Sequence, residues 1–97
     1  MRTLLRIRIE TQAGNRAITD GTVQRTLKEL ADKIHPEAAY FLPDEGQRTA
    51  MFVFDMQDSS AIPAIVEPLF LTMNASVALS PVMNFDDLEK GLAAISS

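Results

Sequence analysis

Arg6, Arg8 and Asp55 are the residues whose types and positions best suit chemistry at a shared site. In "LLRIRIE" the two arginines alternate with apolar residues, so a β-strand places both guanidinium groups on one face. Asp55 ends the apolar run "MFVFD". Because a guanidinium matches the geometry of a carboxylate, these residues predict either a ligand-orienting site or a structural ion pair.

The ion pair is the favoured interpretation, because paired arginines and carboxylates recur without chemistry and contribute little when exposed. Antiparallel pairing of the two strands brings Asp55 nearer to Arg6 than to Arg8. We therefore expect Asp55 to be the partner of Arg6 at the rim of a sheet face. No catalytic residue is assigned.

Two other residues with reactive side chains have simpler structural explanations. His35 titrates near neutrality, but it stands beside Pro36 at a predicted helix end, where an imidazolium favourably meets the helix dipole. Tyr40 lies in a predicted strand, where a tyrosine packs its ring and keeps its hydroxyl satisfied. Neither residue predicts a catalytic site by itself.

Composition excludes several classes of function. The chain has 97 residues, a net charge of −4, one histidine and no cysteine. The negative charge argues against nucleic acid as a partner, and the lack of Cys and His ligands argues against a metal site. Glycine-rich phosphate loops are absent, so we predict no cofactor.

The chain is expected to be a cytoplasmic protein without a membrane segment. No apolar run approaches the roughly 20 residues that cross a bilayer, and charges interrupt "MRTLLRIRIE" too often for a secretory signal. We therefore expect one ordered domain spanning residues 1–97.

The first half of the chain predicts a strand followed by a helix. "TLLRIRIE" alternates with the period of a strand, and "TQAGN" then breaks the pattern. Apolar residues recur at helical spacing from about Thr22 until Pro36 stops the helix. Its beginning is open: either a short turn broken at Gly21, or a cap at Thr19 or Asp20.

The second half predicts a hairpin, a helix, a strand and a terminal helix. "EAAYFL" and "RTAMFVFDM" are strands joined by the turn residues "PDEG". "DSS" caps a helix that carries Pro63 in its first turn, bends at Pro68 and ends at Asn74. Pro81 places "SVALSPVM" at a sheet edge, and Asn84 precedes the helix "FDDLEKGLAAI".

This order, β-α-β-β-α-β plus a C-terminal helix, predicts an α+β fold of the ferredoxin-like type. In that arrangement a four-stranded antiparallel sheet carries the two main helices on one face, and the first and third strands are central neighbours. The opposite sheet face is then free of helices.

The free sheet face predicts both self-association and a ligand site. Depending on the register of the hairpin, Phe41, Met51, Val53 and Val82 add apolar area beside the arginines, and a small chain rarely leaves such a patch uncovered. We expect a homodimer through this face, with an acidic, carbonyl-bearing or aromatic small molecule satisfying desolvated arginine donors. The predicted ligand-binding residues are Arg6, Arg8, Phe41 and Asp55.

The runs "AAYF", "RTAMFVFDM", "IPAIVEPLF", "NASV" and "PVMNFDDL" resemble small bacterial proteins of the dimeric α/β-barrel class that have no established function. This resemblance covers most of the chain and implies a dimeric barrel built from two ferredoxin-like sheets. The class includes cofactor-free monooxygenases, muconolactone-isomerase-like enzymes and haem-degrading enzymes. The Asn, Trp and His set of the haem-degrading type is missing, because the chain has no Trp.

Three functions therefore stay open. The leading hypothesis is a homodimer that binds a small acidic or aromatic ligand at the open sheet face. The second is a non-catalytic dimerisation or partner-binding module. The third, a cofactor-independent monooxygenase or isomerase, rests on analogy of fold alone, which does not establish an activity.

Overall fold

The computed structural model describes residues 1–96 of the chain. Within that range the chain forms four β-strands, four α-helices and one short 3-10 helix, which confirms the α+β class. The elements in chain order are β1 (Arg2–Ile9), α1 (Thr11–Thr19), α2 (Thr22–Ile34), β2 (Ala38–Asp44), β3 (Gln47–Asp55), the 3-10 helix (Ser59–Ala61), α3 (Ile62–Met73), β4 (Ala75–Pro81) and α4 (Phe85–Ser96).

The strands form one antiparallel sheet in the order β2-β3-β1-β4. β1 and β3 are therefore central neighbours, as predicted. β4 lies at an edge, where Pro81, which lacks an N–H, is tolerated.

The core lies between one face of this sheet and helices α1, α2 and α3. β1 alternates strictly between buried and half-buried residues, and its buried side chains face the helices. The core residues are Leu5, Ile7, Ile9, Ala17, Val23, Leu30, Ala50, Phe52, Phe54, Ile65, Val66, Leu69, Met73 and Ala75. The half-buried residues of β1 lie on the opposite side, which we call the open face.

Helix α1 corrects the prediction that "TQAGN" interrupts regular structure. The carboxylate of Glu10 accepts hydrogen bonds from the N–H groups of Gln12 (3.0 Å) and Ala13 (2.7 Å), and so caps the helix. The same N–H donors hold the pKa of Glu10 below its ordinary value. Its buried residues are only Gly14 and Ala17, so the helix shows no stripe of large apolar residues.

Helix α2 has the predicted limits. Gly21 separates it from α1 with a left-handed φ of 82°, and Asp20 Oδ1 accepts from the Thr22 N–H at 2.9 Å. The break at Gly21 therefore occurs, whereas the alternative of a cap at Thr19 or Asp20 does not, because the N-cap residue is Gly21 itself. The helix ends at His35, which has a φ of 47° and donates its N–H to the Ala31 carbonyl.

Helix α3 contains Pro68 in its interior without ending there. Because proline has no N–H, the Ala64 carbonyl four residues earlier lacks its usual helical donor. Lys33 Nζ of α2 donates to that carbonyl at 3.1 Å, which joins the two helices. Pro63 lies in the first turn, and Asn74 ends the helix with a φ of 48°, both as predicted.

The hairpin between β2 and β3 turns over two central residues, Glu45 and Gly46. Their φ values of 52° and 78° are those of a two-residue hairpin turn. Asp44, expected in the turn with its neighbours in "PDEG", instead belongs to β2 and pairs with Gln47. The turn therefore sets the register of the whole hairpin.

Helix α4 begins with a reciprocal cap, as Asn84 predicted. Asn84 Oδ1 accepts from the Asp87 N–H at 2.9 Å, and Asp87 Oδ2 accepts from the Asn84 N–H at 3.1 Å. None of the side chains described in this helix, residues 85–95, is buried. No helix within residues 1–96 is both long and apolar enough to cross a membrane.

Candidate functional site

The open face collects every second residue of the four strands. Across its middle, Arg6 of β1 lies between Met51 of β3 and Ala78 of β4, with Tyr40 of β2 beyond Met51. Its residues are Arg2, Leu4, Arg6 and Arg8; Ala38, Tyr40, Leu42 and Asp44; Gln47, Thr49, Met51, Val53 and Asp55; and Ser76, Ala78 and Ser80. The two predicted arginines therefore share this face, where apolar residues lie among polar ones.

Arg8 is neutralised by acidic residues of the hairpin. Its Nη2 lies 2.7 Å from Asp44 Oδ2, and its Nη1 lies 3.4 Å from Glu45 Oε2. The hydrogen bond with Asp44 raises the pKa of Arg8. Sequence reasoning missed Asp44 because it placed this residue in the turn, whereas a two-residue turn at Glu45 and Gly46 returns it to the strand.

Arg2 is also paired. Its Nε lies 2.6 Å from Glu37 Oε1, and its Nη1 lies 3.4 Å from Asp87 Oδ2 at the start of α4. The hydrogen bond with Glu37 is the main reason that the pKa of Arg2 is raised. Arg2 therefore joins the open face to Glu37, which precedes β2, and to Asp87 in α4.

Arg6 differs from Arg2 and Arg8 because its guanidinium donates no hydrogen bond to any described side chain or carbonyl. Its Nε is buried and has no hydrogen-bond partner among the described residues. The Nε of Arg8 is unpartnered too, but the Nη atoms of Arg8 have carboxylates. A buried donor without an acceptor is costly, so Arg6 is the position on this face that most needs an acceptor.

The space beside Arg6 is shallow. A depression of about 150 Å³ is lined by Arg6, Arg8, Ser76, Val77 and Ala78. Sites that bury small molecules are typically about 300–1,000 Å³, so this depression by itself is too small to bury one.

Asp55 lies on the open face but is not the partner of Arg6, which corrects the predicted ion pair. The register places Asp55 opposite Arg2, at the other end of β1 from Arg8. Asp55 Oδ1 lies 2.6 Å from the amino group of Met1, and Oδ2 accepts from Gln57 at 2.6 Å. These contacts lower the pKa of Asp55, the hydrogen bond from the amino group most of all.

Phe41 lies on the helix side of the sheet, which corrects its predicted place beside the arginines. It pairs with Ala50, and its ring meets that of Phe52 edge-on, with the centroids 5.9 Å apart. Tyr40, the preceding residue, occupies the open face instead and is 69% exposed. A shift of one residue in hairpin register exchanges the two faces, and the turn decides that register.

Two larger clefts lie on the helix side. One, of about 410 Å³, is lined by Arg48 and apolar residues that include Ile18, Leu27 and Phe41. The other, of about 360 Å³, lies between the end of α2 and the start of α3 and includes His35 and Asp55. Arg48 donates to Asn15 Oδ1 at 3.0 Å. The polar residues of the second cleft are Lys33, His35, Asp55 and Gln57, and its other lining residues are apolar. Lys33 and Asp55 already have partners, the Ala64 carbonyl and the Met1 amino group.

The described residues offer no cluster of three or more His, Cys, Asp or Glu side chains that could hold a metal ion. Comparison of the chain with models of known protein families and with curated proteins gives no match. The site must therefore be interpreted from its own geometry.

Proposed function

We propose that the chain works as a homodimer of ferredoxin-like domains, arranged as a dimeric α/β barrel, that binds a small molecule carrying a carboxylate. In this proposal the two open faces meet and enclose the ligand. The observation that carries the proposal is Arg6, a cation at the centre of the open face with a buried and unsatisfied Nε.

The chemistry of Arg6 favours a carboxylate. A guanidinium stays charged at any physiological pH and presents its donors in a planar fork, which a carboxylate accepts in a bidentate manner. Arg2 and Arg8 already have such partners within the chain. Of the three arginines on the open face, only Arg6 has no carboxylate partner among the described residues, so its N–H groups are available to a ligand.

The neighbours of Arg6 favour an apolar or aromatic body for that ligand. Leu4, Met51 and Val53 are half-buried around it, and Tyr40 exposes its ring one strand further out. A benzoate-like molecule satisfies both requirements, since its carboxylate faces Arg6 and its ring contacts the apolar residues.

The requirement for a second copy follows from the shape of the face. The depression beside Arg6 holds only about 150 Å³ in one protomer. A flat apolar face supplies the desolvated wall that the ligand lacks, and the second open face of a homodimer has that character.

A partner-binding module without a small ligand is the second candidate, favoured by the exposure of Tyr40 and by the same unsatisfied arginine. There, a carboxylate of a partner protein takes the place of the ligand. The two candidates differ in whether a free carboxylate stabilises the isolated chain.

Thermal unfolding with benzoate, 2-hydroxybenzoate and succinate tests the proposal. At a tenfold excess over Kd, binding stabilises the folded state by about 1.4 kcal/mol, which shifts the Tm of so small a domain by several degrees. We expect at least one aromatic carboxylate to do this, and Arg6→Gln to abolish the shift.

Arg25→Gln is the matched control, because Arg25 is an exposed arginine of α2 far from the open face. It should retain the full shift. Equal stabilisation of wild type and Arg6→Gln would reject Arg6 as the site. If no carboxylate stabilises the wild type, the partner-binding module becomes the better explanation.

A further inference from the structure

Helix α4 carries an apolar stripe that the described chain leaves exposed. Its four stripe residues recur at helical spacing and are 81%, 38%, 53% and 81% exposed, in the order Phe85, Leu88, Leu92 and Ile95. A helix of 12 residues is marginal in water unless it packs through such a face. The described residues therefore leave this apolar stripe largely exposed to solvent.

The helix projects away from the body of the domain. The molecule measures 55 × 28 × 17 Å and has a radius of gyration of 15.4 Å, whereas a compact chain of this length is expected near 12.5 Å. A nine-residue strand spans about 30 Å and a 12-residue helix about 18 Å, so the longest dimension accommodates the two roughly end to end. α4 thus projects as an arm and does not form a further layer on the sheet and helices of the core.

The arm is fastened on the side of the open face. Asp87 in its first turn pairs with Arg2, which belongs to that face. Pro81, at the end of β4, pairs with Thr3 at the start of β1. The first turn of α4 is therefore tied to the end of the sheet at which β1 begins and β4 ends.

We propose that α4 is an exchanged arm that packs its stripe on a second copy of this chain. The inference rests on the homodimer of the proposed function, but not on its ligand. The same twofold symmetry that brings the open faces together applies to the arms, so that each protomer gives one arm and receives one.

The size of the open face supports a second copy of this chain as the partner of α4. Between the outer strand axes, four strands with about seven residues each span only about 14 × 24 Å. This outline is a projected area and not an accessible surface, but it is small beside a standard-size interface, in which each partner buries roughly 800 Å² of accessible surface. Two arms supply additional apolar contact where the sheet alone is too small.

Charge supports it as well. α4 contains Asp86, Asp87 and Glu89 against one basic residue, Lys90, whereas the open face exposes the unpaired Arg6. An acidic arm approaching a copy of this face meets opposite charge, which favours encounter between copies.

Cross-linking with mixed isotopes tests the exchange. The chain has no cysteine, so Ile95→Cys provides a unique site for a benzophenone maleimide on the stripe. After mixing and re-equilibrating unlabelled and ¹⁵N-labelled protein, we expect light-to-heavy cross-linked peptides from the arm. The matched control is Ala93→Cys, an exposed position of α4 outside the stripe, which should give few.

The dissociation constant of the dimer gives a second readout. Leu88→Asp should raise it at least tenfold in sedimentation equilibrium, whereas Ala93→Asp, which adds the same charge to the same helix, should leave it within twofold. Only same-label cross-links, or a dissociation constant for Leu88→Asp equal to that of wild type, would overturn the exchanged arm.

These outcomes are separable from failure of the proposed function. If the arm variants behave as wild type while the chain is still a dimer stabilised by benzoate through Arg6, the arm proposal falls and the ligand site stands. If the wild-type chain is monomeric, the arm and the enclosed ligand site fall together.

Discussion

The three arginines at the half-buried positions Arg2, Arg6 and Arg8 of β1 show how position decides the role of one residue type. Arg2 and Arg8, nearer the ends of the strand, reach carboxylates of neighbouring elements. Arg6 lies at the middle, between Met51 and Ala78, and pairs with no carboxylate of the described residues. The two outer arginines are therefore paired within the chain, whereas the Nε of the central one is buried without an acceptor in residues 1–96.

Asp55 should contribute to stability in a pH-dependent manner. Its pKa is lowered below the ordinary value of 3.8, chiefly by the hydrogen bond from the Met1 amino group. A carboxyl group with a lowered folded-state pKa stabilises the protein above its unfolded pKa and loses that contribution as the pH falls through the folded pKa. We therefore expect Asp55→Asn to lower the urea midpoint at pH 7 and to differ little from wild type near pH 2.

Asp32→Asn provides the comparison, because Asp32 is an exposed carboxylate on α2. Its effect should be smaller at pH 7. A difference between wild type and Asp55→Asn that stays constant from pH 7 to pH 2 would contradict the role of the charged contact.

At the residue scale, strand alternation predicted the faces of β1 and β3 correctly, because one face of each is buried in the core. It failed for Phe41 and for the partner of Asp55. Phe41 belongs to an edge strand whose residues are mostly exposed, so burial does not reveal its register. The partner of Asp55 is the chain's own amino group, which strand periodicity does not consider.

At the element scale, Lys33 and Pro68 form a coupled pair that holds α2 against α3. Pro68 removes the helical donor to the Ala64 carbonyl, and Lys33 replaces it. Lys33→Met should lower the free energy of unfolding by about 1 kcal/mol, the typical net value of a hydrogen bond. In a Pro68→Ala background, the restored N–H serves the carbonyl, so the same substitution should cost less than half as much.

The double-mutant cycle is measured by urea denaturation and isolates this coupling. Lys28→Met, at an exposed lysine on the same helix, controls for the loss of positive charge and should give no coupling with Pro68→Ala. Additive effects of Lys33→Met and Pro68→Ala would show that the contact does not compensate for the proline.

The elements themselves followed from periodicity and terminal signals wherever large apolar residues mark a face. The strands, α2, α3 and α4 have such residues, and Asn74 and Asn84 mark two helix ends. α1 has only Ile18, which is 41% exposed, and its buried residues are Gly14 and Ala17. A helix that contacts its sheet through small residues carries too little hydrophobic periodicity to be predicted.

At the scale of the whole molecule, the chain presents two surfaces that a single copy does not cover: the open face and the stripe of α4. Arg2 on the open face and Asp87 in α4 join the two elements by an ion pair. The net charge of −4 is small, and salt at physiological strength screens it. In the proposed homodimer, association therefore depends on how well these surfaces fit each other.

Val53 allows the open face of the sheet to be tested as a dimer interface. Val53 lies between Leu4 and Ala38 on the open face and is half-buried in one protomer, so a dimer formed through this face removes it from water. An unpaired carboxylate at such a position costs several kcal/mol on association, because it must lose its hydration. Val53→Asp should therefore raise the dimer dissociation constant at least thirtyfold, measured by light scattering over a concentration series.

Gln24→Glu adds the same charge to an exposed site on α2 and should leave the dimer dissociation constant unchanged. A wild-type chain that is monomeric at tens of micromolar, or a Val53→Asp variant that associates like wild type, would show that the open face is not the interface.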